Sequence, residues 1–166
     1  MASPGYQLGP PATRAPDPIA YFELYRGVAW KRVVAYMIDV VMIAIIMLFA
    51  LLVFGFIGVL TFGMLGPLLV VIFALIPFCY HMLLLSGPRH ATIGMRALGL
   101  EMRSVTAGYP DQVQAAVQTM LFYLSVSITG FLILIWALFD SRRRCLHDIV
   151  AGTYVVNRAA AMAVPA

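Results

Sequence analysis

The chain has 166 residues, of which 63% are hydrophobic and 11% charged, and its formal net charge is +4. Ordinary soluble domains are roughly 45–50% apolar and about 25% charged, so this composition excludes a conventional water-soluble globule. The apolar residues are concentrated in two long blocks, which indicates a small membrane protein with polar ends. The length allows one domain.

Two stretches of the sequence contain no Asp, Glu, Lys, Arg or His. The first runs from Val40 to Tyr80 (41 residues) and the second from Gln112 to Phe139 (28 residues). A helix needs roughly 20 apolar residues to cross a bilayer core, so the first stretch must hold two spans, which we predict at 33–56 and 67–85. The turn between them is attributed to Gly55, Gly58, Gly63, Gly66 and Pro67.

The second stretch leaves two topologies open. A single tilted span would carry Arg142, Arg143 and Arg144 to the outside, against the positive-inside rule. A re-entrant hairpin would return them to the cytoplasm, with a break near Ser125, Ser127, Thr129 and Gly130. We therefore expect an all-α polytopic membrane protein with a two-helix transmembrane hairpin and a third hydrophobic segment of either kind.

The basic residues predict the orientation of the hairpin. Arg26, Lys31 and Arg32 precede the first span, whereas the turn between the two spans carries no charge. Lys and Arg are enriched on the cytoplasmic side of membrane proteins, so we expect the N-terminus in the cytoplasm. The loop after the second span then lies on the same side, which suits its arginines: Arg89, Arg96 and Arg103.

Asp39 is the residue with the clearest chemical signal, because it lies about six residues inside the first span. A carboxylate there costs roughly 2.5–3.5 kcal/mol on insertion scales. It either handles an ion or a proton, or hydrogen-bonds a neighbouring helix and fixes packing. Arg32 shares its helix face but lies about 10 Å away along the axis. We therefore expect each side chain to meet a partner on another helix.

His81 is the second ionisable group within the apolar blocks. It lies about four residues before the cytoplasmic end of the second span, at a depth similar to that of Asp39. Antiparallel packing of the two spans would bring the imidazole and the carboxylate together. The alternatives are a proton relay and an ordinary interfacial histidine.

Two short segments have strand-like character. They cover residues 98–105 and 152–157, and the second is rich in β-branched and aromatic residues. We expect them to pair as a small ladder on the cytoplasmic surface. Such pairing would bring Asp148 near the helix that carries Arg32 and Asp39, and it would favour the re-entrant topology of the third segment.

These residues together resemble the RDD family, bacterial membrane proteins named for one arginine and two aspartates. Trp30–Asp39 looks like the first-helix signature of the family, and residues 146–148 with 151–153 look like its closing motif. The loop motif is matched by Thr92, Gly94, Arg96, Gly99 and Leu100. On this resemblance the three name residues are Arg32, Asp39 and Asp148, with Asp140 as a weaker claimant to the last place.

The resemblance covers roughly residues 28–156 and implies a part in transport. We expect a small inner-membrane protein that moves an ion or small solute, as a homo-oligomer or with a membrane partner. In this hypothesis Asp39 binds the cation or proton, Arg32 sets its affinity and His81 relays protons. Asp148 is the fourth candidate functional residue, beside Arg32, Asp39 and His81. The alternative is a scaffold or assembly factor that transports nothing.

The sequence also predicts several absences and three segments. We expect no enzyme activity, catalytic residue, cofactor or metal site, because no nucleophile arrangement or ligand spacing is present. Nucleic-acid binding is disfavoured because the basic residues are scattered along the membrane flanks. The predicted segments are a flexible N-terminal tail (1–28), an RDD-like membrane domain (29–156) and a C-terminal tail (157–166).

Overall fold

The computed structural model describes residues 15–17, 19–106, 108–129 and 146–163. These residues are mostly helical and form one small sheet. In chain order the elements are α1 (Phe22–Tyr25), α2 (Val28–Leu60), α3 (Gly66–Ser86), α4 (Ile93–Ala97), β1 (Leu100–Ser104), α5 (Gln112–Thr129), α6 (Leu146–Ala151), β2 (Thr153–Asn157) and α7 (Arg158–Ala163).

The helices α2 and α3 form the predicted hairpin. In the part of the chain that the structure describes, two segments are long and apolar enough to cross a membrane: Phe22–Leu60 and Gly66–Ser86. Most of the residues in these segments are not buried inside the protein. Large apolar side chains on α2, such as Leu52 and Phe56, are exposed. Such a surface suits lipid and not water.

The turn between α2 and α3 is shorter than expected. The helix α2 continues through Gly55 and Gly58 to Leu60, so the prediction that these two glycines lie in the turn is wrong. It is also wrong for Gly66 and Pro67, which form the first turn of α3. A helical glycine costs only about 1 kcal/mol relative to alanine, and the uniformly apolar segment keeps its helical hydrogen bonds. The turn is made by residues 61–65, where Gly63 adopts a positive φ of 78°.

The predicted strand pairing is confirmed. The strands β1 and β2 are antiparallel, with Leu100 opposite Asn157 and Ser104 opposite Thr153. Residues before and after the range 130–145 therefore lie together at one end of the hairpin. The course of the chain between them, through residues 130–145, lies outside the described residues.

The predicted break in the third segment does not occur at Ser125 or Ser127. The helix α5 runs without interruption to Thr129. The hydroxyl of Ser125 donates to the carbonyl of Phe122 at 2.9 Å, so this serine is satisfied inside the helix. Gly130 and the remainder of the segment, with Asp140 and the three arginines that follow it, lie outside the described residues.

Two short helices lie in segments that we predicted as tails. The helix α1 packs against β2 and α7, and its residues Leu24 and Tyr25 are buried beside Val156. The amide of Asn157 donates to the carbonyls of Glu23 and Arg26, at 3.0 and 2.9 Å. These contacts attach both segments to the sheet. A second cluster of buried apolar residues joins the sheet to the start of α2, through Val28, Ala35, Leu85, Met102 and Val155.

Candidate functional site

Asp39 is almost completely buried, with 2% of its surface exposed. Its Oδ1 atom accepts hydrogen bonds from the Tyr80 hydroxyl at 2.7 Å and from the backbone N–H of Gly94 at 2.8 Å. Its Oδ2 atom accepts from the Thr92 hydroxyl at 2.6 Å. Three neutral donors therefore hold the carboxylate. Within the described residues no cationic side chain forms an ion pair with it.

The segment before α4 is shaped to reach Asp39. Thr92 is the N-cap of α4, where its Oγ1 accepts from the backbone N–H of Met95 at 3.2 Å while donating to Asp39. A Cβ atom at Gly94 would lie 2.0 Å from the carbonyl oxygen of Ala35 on α2. Only glycine therefore allows this backbone to approach α2 closely enough for its N–H to meet the carboxylate.

Arg32 pairs with Asp148 and not with Asp39. The Nη1 atom of Arg32 lies 2.5 Å from Oδ2 of Asp148, whose side chain is fully buried. The Oδ1 atom of Asp148 accepts from Nε2 of Gln118 on α5 at 2.6 Å. The hydroxyl of Thr153 on β2 in turn donates to Oε1 of Gln118 at 3.1 Å. A charge pair and its hydrogen bonds thus connect α2, α5, α6 and β2.

A cavity of about 80 Å³ lies between α2, α3 and α5. Arg32, Asp39 and His81 line it, together with Gln118 and His147. A buried site needs at least roughly 10–15 Å³ on this measure to hold one water molecule, so this cavity has room for several waters or a small solute. Three of the four predicted functional residues therefore face one space, and Asp148 is bonded to one of them.

His81 lines this cavity but forms no hydrogen bond with Asp39. Its Nδ1 atom lies 3.1 Å from the carbonyl oxygen of Pro77 and 3.0 Å from the hydroxyl of Tyr123. A proton on Nδ1 would satisfy the Pro77 carbonyl, which can only accept, whereas a bare Nδ1 would accept from the Tyr123 hydroxyl. The expected proximity to Asp39 is confirmed as a shared cavity, whereas the relay function stays a prediction.

His147 is a cavity-lining residue that the sequence analysis did not select. It lies on α6, outside the two candidate spans, and its Nε2 atom is 3.6 Å from Oδ1 of Asp148. Burial lowers the pKa of His147 to about 4, even though Asp148 acts in the opposite direction. The imidazole of His147 is therefore neutral at pH 7. The opposite charges of Arg32 and Asp148 cancel, so these three side chains together carry no net charge.

The sequence analysis also missed Tyr80 and Gln118 as partners of the two acidic residues. Tyr80 is uncharged at neutral pH and adjacent to the ionisable His81, so the sequence contains no signal that favours it over His81 as the partner of Asp39. Gln118 had a usable signal, since a glutamine at the centre of an uncharged apolar stretch needs a buried partner. Thr92 and Gly94 were noted only as parts of a loop motif. Each of the two supplies one hydrogen bond to Asp39.

The two apolar helices and the polar network at one end of them are features of a membrane protein. Comparison with known protein families shows which family of membrane proteins it is. The family model described as the RDD family matches residues 26–152, which is most of the chain. The protein belongs to the RDD family, as the sequence motifs predicted, and Arg32, Asp39 and Asp148 all lie in the matched region. No curated protein and no solved structure matches the chain.

Proposed function

We propose that the protein takes part in the transport of an ion or small solute across the inner membrane. The observation that carries the proposal is Asp39, a buried carboxylate that lines a cavity and has no ionic partner among the described residues. Burying an unpaired charge is expensive, and in membrane proteins such residues mark pathways for ions and protons.

The charges around the cavity favour a cation or a proton over an anion. Arg32 is neutralised by Asp148, and His147 is neutral at pH 7. Asp39 therefore supplies the net negative charge among these groups. A positive solute entering the cavity gains from that charge, whereas an anion is repelled by it. In this proposal Arg32 acts on the affinity indirectly, because it holds Asp148 and with it α6.

The topology in the proposal is multi-pass, with the polar network and both described ends of the chain on the cytoplasmic side. Basic residues at the start of α2 and in the loop after α3 support this orientation through the positive-inside rule. A cysteine at exposed Ala159 would test it, in a background with Cys79→Ser and Cys145→Ser. We expect a membrane-impermeant thiol reagent to label it only after the cells are opened. Labelling of intact cells would contradict the orientation.

Transport also requires more than two or three helices around a pathway, so we propose a homo-oligomer or a complex with another membrane protein. The apolar side chains exposed on α2 and α3 leave surface for such contacts. They are equally suited to lipid. Chemical crosslinking in native membranes, followed by mass measurement of the crosslinked species, is expected to yield a discrete multiple of 18.2 kDa or a defined heteromeric mass.

The second candidate function is a scaffold or assembly factor without transport. It is favoured by the hydrogen bonds of Asp39, since three donors of the same chain already satisfy the carboxylate. In this case the network fixes the packing of α2, α3 and α4, and the exposed faces bind a partner. The cavity would then hold only water.

Flux in proteoliposomes that contain only this protein separates the two functions. Vesicles with an internal pH dye and an imposed gradient of a monovalent cation would be compared with protein-free vesicles of the same lipid. Transport predicts protein-dependent movement of the cation or of protons. No flux from correctly folded protein, across a panel of cations and small solutes, would overturn transport by a homo-oligomer of this protein in favour of the scaffold.

A further inference from the structure

A basic groove lies on the outside of the protein, away from the cavity that contains Asp39. We define the basic groove by three cations, Arg26, Lys31 and Arg158, and by Glu23 at its edge. It is an open depression of about 1000 Å³ formed by α1, the start of α2 and α7. Three positive charges against one negative charge attract an anion.

Lys31 lines the groove and is held in position there. Its Nζ atom donates to Oδ1 of Asn157 at 2.6 Å, and the amide of Asn157 is itself fixed by the backbone carbonyls of Glu23 and Arg26. An ammonium group has three donors, so two remain for a ligand. Because the side chain is already ordered, binding an anion costs little additional conformational entropy.

The two arginines of the groove are only weakly engaged by carboxylates of the chain. Arg26 lies 3.5 Å from Glu23, with both side chains more than two-thirds exposed, and such surface pairs are worth little. Arg158 lies 3.8 Å from Glu101, a carboxylate that Arg103 binds more closely at 2.6 Å. Both guanidinium groups can therefore turn to an external anion without breaking a strong ion pair.

Exposed apolar side chains lie in the chain segments that form or adjoin the groove, and of these Met162 lines it; they indicate the kind of anion. Ile19 and Phe22 are 90% and 62% exposed, and Met162 on α7 is also exposed. Trp30, next to Lys31 at the start of the apolar helix, is exposed as well, as aromatic residues at a membrane surface commonly are. A soluble phosphate gains nothing from these side chains, whereas a lipid carries an anionic headgroup and acyl chains together.

We propose that the basic groove binds the phosphate headgroup of an anionic membrane lipid. Lys31, Arg26 and Arg158 contact the phosphate, and the exposed apolar side chains of α1 and α7 contact the upper acyl chains. The lipid thereby joins α1 and α7 to the start of α2. The proposal does not depend on transport, because the groove and the cavity have no lining residue in common, although α2 contributes different residues to both.

Thermal unfolding of the full chain in neutral detergent tests the proposal. Phosphatidylglycerol and phosphatidylcholine with the same acyl chains would be titrated separately, and soluble glycerol phosphate would form a third arm. We expect phosphatidylglycerol to raise the unfolding temperature at low mole fraction, with a weak effect of phosphatidylcholine and none of glycerol phosphate. Equal stabilisation by both lipids, or by glycerol phosphate, would overturn the lipid assignment.

Substitutions locate the effect in the groove. Arg26→Gln with Arg158→Gln leaves Lys31 and its structural hydrogen bond in place, so the variant is expected to fold. A basic residue near an anionic surface contributes about 1 kcal/mol, or roughly fivefold, so the phosphatidylglycerol midpoint should rise about 25-fold in the double variant. Arg89→Gln, an exposed arginine of the loop after α3, is the matched control. The control removes one charge and the variant two, so a roughly fivefold shift in Arg89→Gln would show general surface attraction and overturn the site.

Discussion

The two halves of α2 have opposite surroundings. In the first half, up to Asp39, polar side chains bond to four other elements: Lys31 to β2, Arg32 to α6, and Asp39 to α3 and to the start of α4. In the second half, from Val40 to Leu60, large apolar side chains are exposed and Asp, Glu, Lys and Arg are absent. In the second half any apolar side chain suits a lipid environment, whereas the position of the first half depends on specific hydrogen bonds and ion pairs.

The largest expected loss comes from the buried charge pair of the first half. Asp148→Asn leaves the guanidinium of Arg32 without its carboxylate, which should lower the free energy of unfolding by about 3–5 kcal/mol. Glu23→Gln removes the exposed carboxylate beside Arg26 and should change it by less than about 0.5 kcal/mol. Denaturant titration in detergent micelles measures both. Similar values for the two variants would contradict the ranking.

Glycine substitutions compare the two halves directly. Gly94→Ala places a Cβ atom 2.0 Å from the Ala35 carbonyl, so the start of α4 must move away from α2. We expect a loss of about 3 kcal/mol. At Gly55, in the lipid-facing half, an added Cβ meets no atom within 4 Å. Gly55→Ala should be neutral or stabilising by up to about 1 kcal/mol. Denaturant titration in detergent micelles measures both variants. A larger loss of unfolding free energy in Gly55→Ala than in Gly94→Ala would contradict the difference between the two halves.

Threonine hydroxyls provide a smaller contrast. Thr92→Val removes the hydrogen bond to Asp39 and the N-cap of α4, which should cost about 2 kcal/mol. Thr61, beyond the other end of α2, donates only to helix carbonyls at Ile57 and Gly58. Thr61→Val should therefore cost less than about 0.5 kcal/mol. Equal thermal shifts for the two variants would argue against a special role of the Asp39 contacts.

The last expected effect is a dependence of stability on pH through His147. Burial lowers the pKa of His147 from the ordinary value of 6.5 to about 4, so between these values the unfolded chain binds more protons than the folded one. Stability should therefore fall as the pH drops from 6.5 towards 4. His147→Gln should flatten this part of the curve, as measured by thermal unfolding at a series of pH values. An unchanged slope in the variant would show that other groups cause the dependence.

The sequence was sufficient to predict the features that depend on composition and charge. Arg32 and Asp39 are conspicuous because they lie at or inside an apolar segment, and Asp148 was placed near them through the pairing of two β-rich segments. The expectation that Arg32 and Asp39 each find a different partner followed from their separation along the helix axis. The structure confirms it.

The remaining contacts depend on packing that a single sequence does not contain. We selected His81 as the neighbour of Asp39, whereas the hydrogen bond comes from Tyr80. Adjacent helical residues point about 100° apart, so choosing between them requires the rotation of α3 about its axis. The role of Gly94 likewise depends on how closely α4 approaches α2. Gly55 and Gly58 were wrongly predicted to lie in the turn, because a helix in a membrane contains glycine more often than a helix of a soluble protein does.

The most direct test of the transport proposal compares Asp39→Asn with Asp111→Asn in proteoliposomes. The first removes the buried charge at the cavity; the second removes an exposed charge at the start of α5, where asparagine can still cap the helix. Equal amounts of inserted, folded protein would be confirmed before flux is measured. We predict that Asp39→Asn abolishes cation or proton flux while Asp111→Asn leaves it unchanged. Full flux in Asp39→Asn would contradict the proposal.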